Sequence, residues 1–173
     1  MKNIILALFL IISKGCVTTD SKINLNIYDL EKINIGMQDA QVLQILSKPN
    51  SFFNTQKNST DEFWIYNDEQ SNQIGMLAIN KDSRKVVSIT ILPQADSLEF
   101  NSKYLFEKKF SGLNFLKYEK KCSAHLPTTS ADYVNKTNGL VITVDEHFKY
   151  VKNYNYFNQE NLKVYIENIQ NCR

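Results

Sequence analysis

Length, composition and charge already exclude several classes of protein. The chain has 173 residues, of which 43% are hydrophobic, 22% charged and 12% aromatic. This length predicts one compact domain or two small ones, and the composition excludes wholesale disorder, a collagen-like repeat and a polytopic membrane protein. Two of the 20 basic residues lie before residue 16; without them, 18 basic residues balance 18 acidic ones. Nucleic-acid binding needs clustered, uncompensated positive charge and is therefore not expected.

The N-terminus has the pattern of an export signal. Nine consecutive apolar residues, 4–12, follow a single lysine. At about 1.5 Å per residue they are too short to cross a hydrocarbon layer of about 30 Å as a helix. The pair Gly15-Cys16 resembles a bacterial lipobox, in which the cysteine receives a lipid and becomes the mature N-terminus. We therefore expect a signal peptide over 1–15 and a polar tether over 16–26; the alternative is an ordinary secretory leader with a chance cysteine.

The cysteine count fits the same compartment. If Cys16 is lipidated, Cys122 and Cys172 remain, and a pair of cysteines in an oxidising compartment predicts one disulfide. Its loop of about 50 residues would add roughly 4 kcal/mol in the chain-entropy account. The alternatives are two unrelated thiols, or a metal pair with His125 or His147. Because CxxC and HxxxH spacings are absent from the sequence, no metal site is expected.

The first half of the mature chain predicts a helix followed by a meander. After an entry segment, the apolar positions from Val42 to Leu46 have helical spacing and predict a helix over 37–47 that Pro49 ends. Three runs rich in β-branched and aromatic residues then predict antiparallel strands over residues 62–67, 73–79 and 85–92.

The second half repeats this order of elements without a repeat of residues. A polar, proline-containing junction places a boundary between residues 95 and 96. We then expect a helix over 102–110, a strand over 115–122, a hairpin over 132–145 with Asn138-Gly139 in a type I′ turn, a strand over 150–157, and a C-terminal helix capped by Asn158. The expected fold class is α+β: a helix on a three-stranded antiparallel sheet over 27–95, and a second helix-plus-antiparallel-sheet half with a C-terminal helix over 96–173.

Residues 33–66 carry a more specific pattern. The pattern begins with a Gly-Met turn and continues with a helix that contains Val and Leu. A Pro then ends the helix, and a strand rich in aromatic residues follows. This pattern resembles the SmpA/OmlA (BamE-like) family of outer-membrane lipoproteins over about residues 33–92, with Ser47 where the family has a helix-ending Gly. The resemblance implies that the following residues define a protein-binding module: Gly36, Met37, Val42, Leu46, Pro49, Phe63, Trp64 and Tyr66.

The expected function is that of a non-enzymatic, cofactor-free outer-membrane lipoprotein facing the periplasm. The resemblance implies a role in β-barrel assembly or envelope integrity, with envelope proteins such as the β-barrel assembly machinery as partners and the membrane reached through the lipid on Cys16. The helix-on-sheet unit also resembles the repeated module of β-lactamase-inhibitor proteins, which implies instead a two-module secreted binder of a hydrolase. A small periplasmic enzyme or ligand carrier is the third alternative.

A tyrosine-rich segment near the C-terminus leaves two roles open. Tyr150, Tyr154, Tyr156 and Phe157 form either an exposed recognition surface or the buried seam between the C-terminal helix and its sheet, and the seam is favoured. His147 follows a hairpin strand. A place in a solvated turn is a simpler interpretation of this histidine than a catalytic role.

Overall fold

The structure is a computed structural model that describes residues 24–54, 59–119 and 129–171. Its centre is one eight-stranded antiparallel sheet with the strand order β1-β2-β3-β4-β8-β7-β6-β5. The strands are β1 Ser51–Phe53, β2 Asp61–Asn67, β3 Gln73–Asn80, β4 Val86–Ile91, β5 Leu116–Glu119, β6 Ser130–Asn135, β7 Leu140–Asp145 and β8 Tyr150–Phe157. The helices are α1 Ile27–Leu30, α2 Asp39–Leu46, α3 Ser102–Tyr104 and α4 Gln159–Asn171, with a 3₁₀ turn at Leu98–Phe100 and a π-helical turn at Leu105–Lys109.

The predicted fold class is wrong. The chain forms two four-stranded meanders, and their last strands, β4 and β8, pair along the middle of a single sheet from Ser88 opposite Phe157 to Ile91 opposite Tyr154. The predicted division between residues 95 and 96 falls in the connection between these meanders. Two causes produced the error. Strand β1 has three residues, too few for a visible alternation, and local periodicity does not show which strands pair over a long sequence separation.

One face of the sheet carries the main hydrophobic core. The core lies under α1, α2 and the helical segment that begins at Leu98, and it contains the fully buried side chains of Val42 and Leu46 from α2. Helix α2 lies within the range that the sequence predicts. Its buried side chains belong to the same core cluster as the sheet residues Trp64, Tyr66 and Leu77.

On the opposite face, the described part of the chain places a helix over the second meander alone. There α4 packs Leu162 with Val134 and Val141 in a second, smaller cluster. The prediction that Asn158 caps this helix is confirmed, because its side-chain oxygen accepts the N–H of Asn161 at 2.7 Å.

The hairpin between β6 and β7 is present, but the predicted type I′ turn is wrong. Four residues, 136–139, separate the strands, and the side chain of Asn135 accepts the N–H of Asn138 at 2.9 Å. Gly139 is the turn residue with a positive φ, at 65°. The hydrogen bond from the loop to Asn135 allows a longer turn than the Asn-Gly pair alone predicts.

Replacing Gly139 by alanine is expected to destabilise the protein more than the same change at Gly36. A Cβ at Gly139 would lie 2.2 Å from the carbonyl oxygen of Phe157, whereas at Gly36, with φ 86°, nothing lies within 4 Å. Gly36→Ala should therefore cost only the left-handed backbone term, about 1–2 kcal/mol, and Gly139→Ala more than about 2 kcal/mol. Urea unfolding of both variants checks this; equal costs would contradict the close approach of Gly139 to β8.

Candidate functional site

Among the described residues, no helix covers the sheet surface opposite α1 and α2 over the first meander. In antiparallel strands, directly opposed residues share a face. Phe53 lies opposite Phe63, and Ile65 opposite Met76. We call the surface formed by these four side chains the open face. It joins three neighbouring strands into one apolar surface.

The four side chains of the open face belong to neither hydrophobic cluster of the described residues. Phe53 is 41% exposed, and the other three are half-buried. The rings of Phe53 and Phe63 stack on each other with centroids 5.2 Å apart. A contiguous exposed apolar surface of this kind marks an interaction site more often than a scattered exposed Leu does.

The path of the described chain explains why no described helix lies over this half of the sheet. After β8, a single residue leads into α4, which lies on the same face as the open face but over the second meander. After β4, the chain instead runs through Pro93 towards the other face, where the helical segment 98–109 contributes to the main core. Within the described ranges, no helix of the first meander takes the place that α4 occupies over the second.

Strand β1 adds an exposed sheet edge beside the open face. Its three residues are all exposed, and Phe52 is 67% exposed. An edge strand presents unpaired backbone N–H and C=O groups to which another chain can pair. The open face and this edge together therefore offer both apolar area and backbone hydrogen bonds to a protein partner.

Most of the residues that define the predicted module are structural. Val42, Leu46, Trp64 and Tyr66 are buried in the main core, so none of them is free to contact a partner. Of the module-defining residues on β2, only Phe63 lies on the open face. This arrangement does not support a partner surface that includes Val42, Leu46, Trp64 and Tyr66.

The remaining module residues shape the entry and exit of α2. The N–H of Gly36, which has φ 86°, donates to the carbonyl of Val86 at 2.8 Å, and the N–H of Val86 donates to the carbonyl of Met37 at 2.9 Å. Pro49 is half-buried between α2 and β1. The backbone bonds of Gly36 and Met37 fix the start of α2 against the start of β4.

The sequence did not single out Phe53, Ile65 and Met76. A usable signal was present in β2, where Phe63, Trp64, Ile65 and Tyr66 are consecutive apolar residues. Such a run predicts a strand with apolar side chains on both faces, and one of those faces has no described covering element.

The tyrosine-rich segment divides between two faces and a turn. Tyr154 is fully buried and Tyr156 partly buried, and both contact the main core and not α4. Phe157 contacts Tyr165 of α4, with ring centroids 5.1 Å apart. Tyr150 stacks on Phe100 at 4.8 Å near the surface. The favoured seam interpretation thus holds for Phe157.

A buried charge cluster ties α1 to the second meander. Lys109, at the end of the π-helical turn, forms ion pairs with Glu31 and, at 3.5 Å, with Glu99, and its side chain is 17% exposed. The Lys109 ammonium also lies 3.2 Å from the hydroxyl of Tyr154, which donates to Glu31. Burial, followed by the Glu31 contact, raises the pKa of Tyr154 far above its usual range, so it stays a neutral donor. Tyr28 donates to Glu99 at 3.2 Å.

The side chain of Asp145 holds the turn between β7 and β8. Its carboxylate accepts the backbone N–H of Phe148 at 3.1 Å and of His147 at 3.0 Å, and the hydroxyl of Thr129 at 3.0 Å. The hydrogen bond from Phe148 is the largest cause that holds the pKa of Asp145 below its usual value, although burial opposes it. The exposed His147 therefore belongs to a rigid turn.

Asp145→Asn is expected to destabilise the protein at neutral pH and to change little in acid. Because the folded-state pKa lies below the usual aspartate pKa of 3.8, the carboxylate stabilises the fold above that pH and loses this effect as the pH falls through the folded-state pKa. Thermal melts of the wild type and the variant should therefore differ at neutral pH and converge as the pH falls through the folded-state pKa of Asp145. The exposed Asp82→Asn serves as control. A gap that is independent of pH would contradict the role of Asp145.

Several predicted features lie outside the described residues, namely Cys16, Cys122, Cys172 and His125. Among the described residues, no group of three or more His, Cys, Asp or Glu side chains is arranged to hold a metal ion. No helix in the same ranges combines the length and apolarity needed to cross a membrane.

Comparison with known proteins gives a likeness of fold. No protein-family model matches the chain, and no curated protein matches it. Among solved structures, the chain is similar to an extracellular protein containing an SCP domain from Bacillus anthracis str. Ames, with a TM-score of 0.51, 17% sequence identity and coverage of 86% of this chain. The chain spans 50% of that structure's length. At this identity the likeness concerns the fold alone, and it accords with the sheet-based architecture and not with the predicted fold class.

Proposed function

We propose that this protein is an exported, lipid-anchored module that binds an envelope protein through its open face and does not turn over a substrate. The observation that carries the proposal is the contrast between the two halves of one sheet face. Over the second meander α4 buries Val134 and Val141, while over the first meander Phe53, Phe63 and Met76 remain at the surface. Apolar side chains held on a rigid sheet give contact area at a low entropic cost.

The place of action rests on the N-terminal pattern. The apolar run over 4–12 and the lipobox-like Gly15-Cys16 support export and a lipid on Cys16. The resemblance to the SmpA/OmlA family supports an outer-membrane lipoprotein that faces the periplasm, with the β-barrel assembly machinery as the first partner to test. Ser47, where the family has its helix-ending glycine, has φ 60°, a conformation that glycine adopts readily.

In-cell photo-cross-linking tests the proposal. A photoreactive side chain at position 63 should give a cross-linked protein product severalfold more abundant than the same group at position 164, because Val164 is 50% exposed on α4 but away from the open face. A yield at position 63 no higher than at position 164 would contradict binding through the open face. A Cys16→Ala variant should lose both its fatty-acid label and its membrane fraction; retention of both would contradict the lipid anchor.

A second candidate is a secreted, inhibitor-like binder of a soluble hydrolase. It is favoured by the pairing of two four-stranded meanders into one broad sheet with one face partly uncovered. The same cross-linking experiment separates the two candidates. A soluble hydrolase as the product at position 63, with loss of its activity on binding, would favour the inhibitor, whereas a membrane-associated envelope protein would favour the adaptor.

A further inference from the structure

The two meanders are related by an approximate two-fold axis that passes between β4 and β8. On the side of the sheet that includes the open face, directly opposed residues form one row across six strands. These residues are Ile65, Met76, Thr90, Asn155, Val141 and Val134. The row is aliphatic at both ends and polar at its centre. Met76 therefore corresponds to Val141, and Ile65 to Val134.

Strand irregularities obey the same relation. The register of β3 against β4 shifts between Ala78 and Ile79, and the register of β7 against β8 shifts between Thr143 and Val144. Counted from Met76 and Val141, these shifts occupy equivalent positions. Because bulges are specific local features that fix strand geometry, their coincidence supports an equivalent strand geometry in the two meanders.

Helix α4 shows what kind of element fits such a surface. Its apolar side chains lie on Val134 and Val141, which correspond to Ile65 and Met76 of the open face. The open face thus has the backbone shape and the aliphatic positions that receive a helix on the other half of the sheet, and it lacks a described helix. We infer that the partner's binding element is an amphipathic helix that packs on the open face beside α4. This inference rests on the function proposed above.

A difference in side chains between the two halves of the sheet defines the chemistry of that helix. In the covered half, the hydroxyl of Tyr165 donates to Asp132 at 2.8 Å, and Thr143 donates to the same carboxylate at 2.7 Å. The two-fold relation places Phe63 at the position of Asp132, and Ala78 at that of Thr143. The partner helix therefore carries an apolar side chain where α4 carries Tyr165, because a hydroxyl over Phe63 would be buried without an acceptor.

Towards β4 and β8, the side chains beside the open face are uncharged. Ser88 and Thr90 lie beside the open face on β4, and the next strand contributes Asn155. These short uncharged side chains can exchange hydrogen bonds with neutral polar groups along the helix. The helix that fits has apolar residues with i, i+3, i+4 and i+7 spacing flanked by uncharged polar residues.

Two peptides test this inference in solution with the full mature chain. The first has the sequence of residues 158–171, and the second has the same sequence with Tyr165→Leu. The Leu peptide should bind severalfold more tightly than the Tyr peptide, with amide NMR shifts concentrated at Phe53, Phe63, Ile65 and Met76. In the full chain, Phe63→Asp should weaken binding of the Leu peptide about tenfold or more, while Val164→Asp should leave that binding unchanged. Equal binding of the two peptides, or binding that survives Phe63→Asp, would overturn the inference.

Mapping of the in-cell cross-link keeps this inference separable from the proposed function. If position 63 captures a protein and the cross-linked peptide is an amphipathic helical segment, both stand. If the cross-linked peptide is an extended strand, a loop or a second copy of this chain, the helix inference fails while binding through the open face stands. If position 63 captures no protein above the level at position 164, the proposed function itself fails.

Discussion

Trp64→Ala is expected to lower the free energy of unfolding by about 3–5 kcal/mol, whereas Phe63→Ala should cost only about 1 kcal/mol. The two residues are neighbours on β2 but face opposite sides of the sheet. Trp64 is 5% exposed within the main core, and its indole N–H donates to Glu62. Phe63 is half-buried on the open face and has Phe53 as its stacking partner.

Guanidinium unfolding of both variants, with an unchanged denaturant slope, measures the difference in stability. In-cell cross-linking through position 53 adds a second readout. Phe63→Ala should lower the yield of partner at nearly unchanged stability, and Trp64→Ala should lower stability first. Similar losses of stability from both variants would contradict the division of β2 into a core side and a binding side.

Lys109→Ala is expected to cost about 3 kcal/mol of stability. The reason is that Glu99 is 2% exposed, and without the ammonium it would remain as a buried carboxylate close to Glu31. The matched control is Lys108→Ala, since Lys108 is exposed and forms none of these ion pairs. It should change stability by less than about 0.5 kcal/mol. Thermal and urea unfolding at neutral pH compare the two variants.

A double variant separates the loss of the ion pair from the loss of packing. Adding Glu99→Gln to Lys109→Met should restore part of the stability that Lys109→Met alone removes, because no buried carboxylate is then left without its partner. Strict additivity of the two changes would show that Lys109 and Glu99 do not interact energetically, and would contradict the place of Glu99 in the charge cluster.

Local patterns in the sequence correctly placed much of the regular structure. The spacing of Val42 and Leu46 indicated α2, and the side chain of Asn158 indicated the start of α4, because helix periodicity and capping depend on residues a few positions apart. The resemblance named Trp64 and Tyr66 as residues of the module, and the structure shows them as core. The run of apolar residues in β2 indicated that the strand has two apolar faces, but it did not show which face is covered.

The sequence by itself determined the position of most strands and the apolar faces of α2 and α4, since each of these depends on neighbouring residues. Only the tertiary structure decided that β4 pairs with β8, that Lys109 meets Glu31, and that α4 covers one half of a face while Phe63 and Met76 stay open on the other. These contacts join residues tens of positions apart, and their partners are selected by the packing of the whole sheet and not by any local preference.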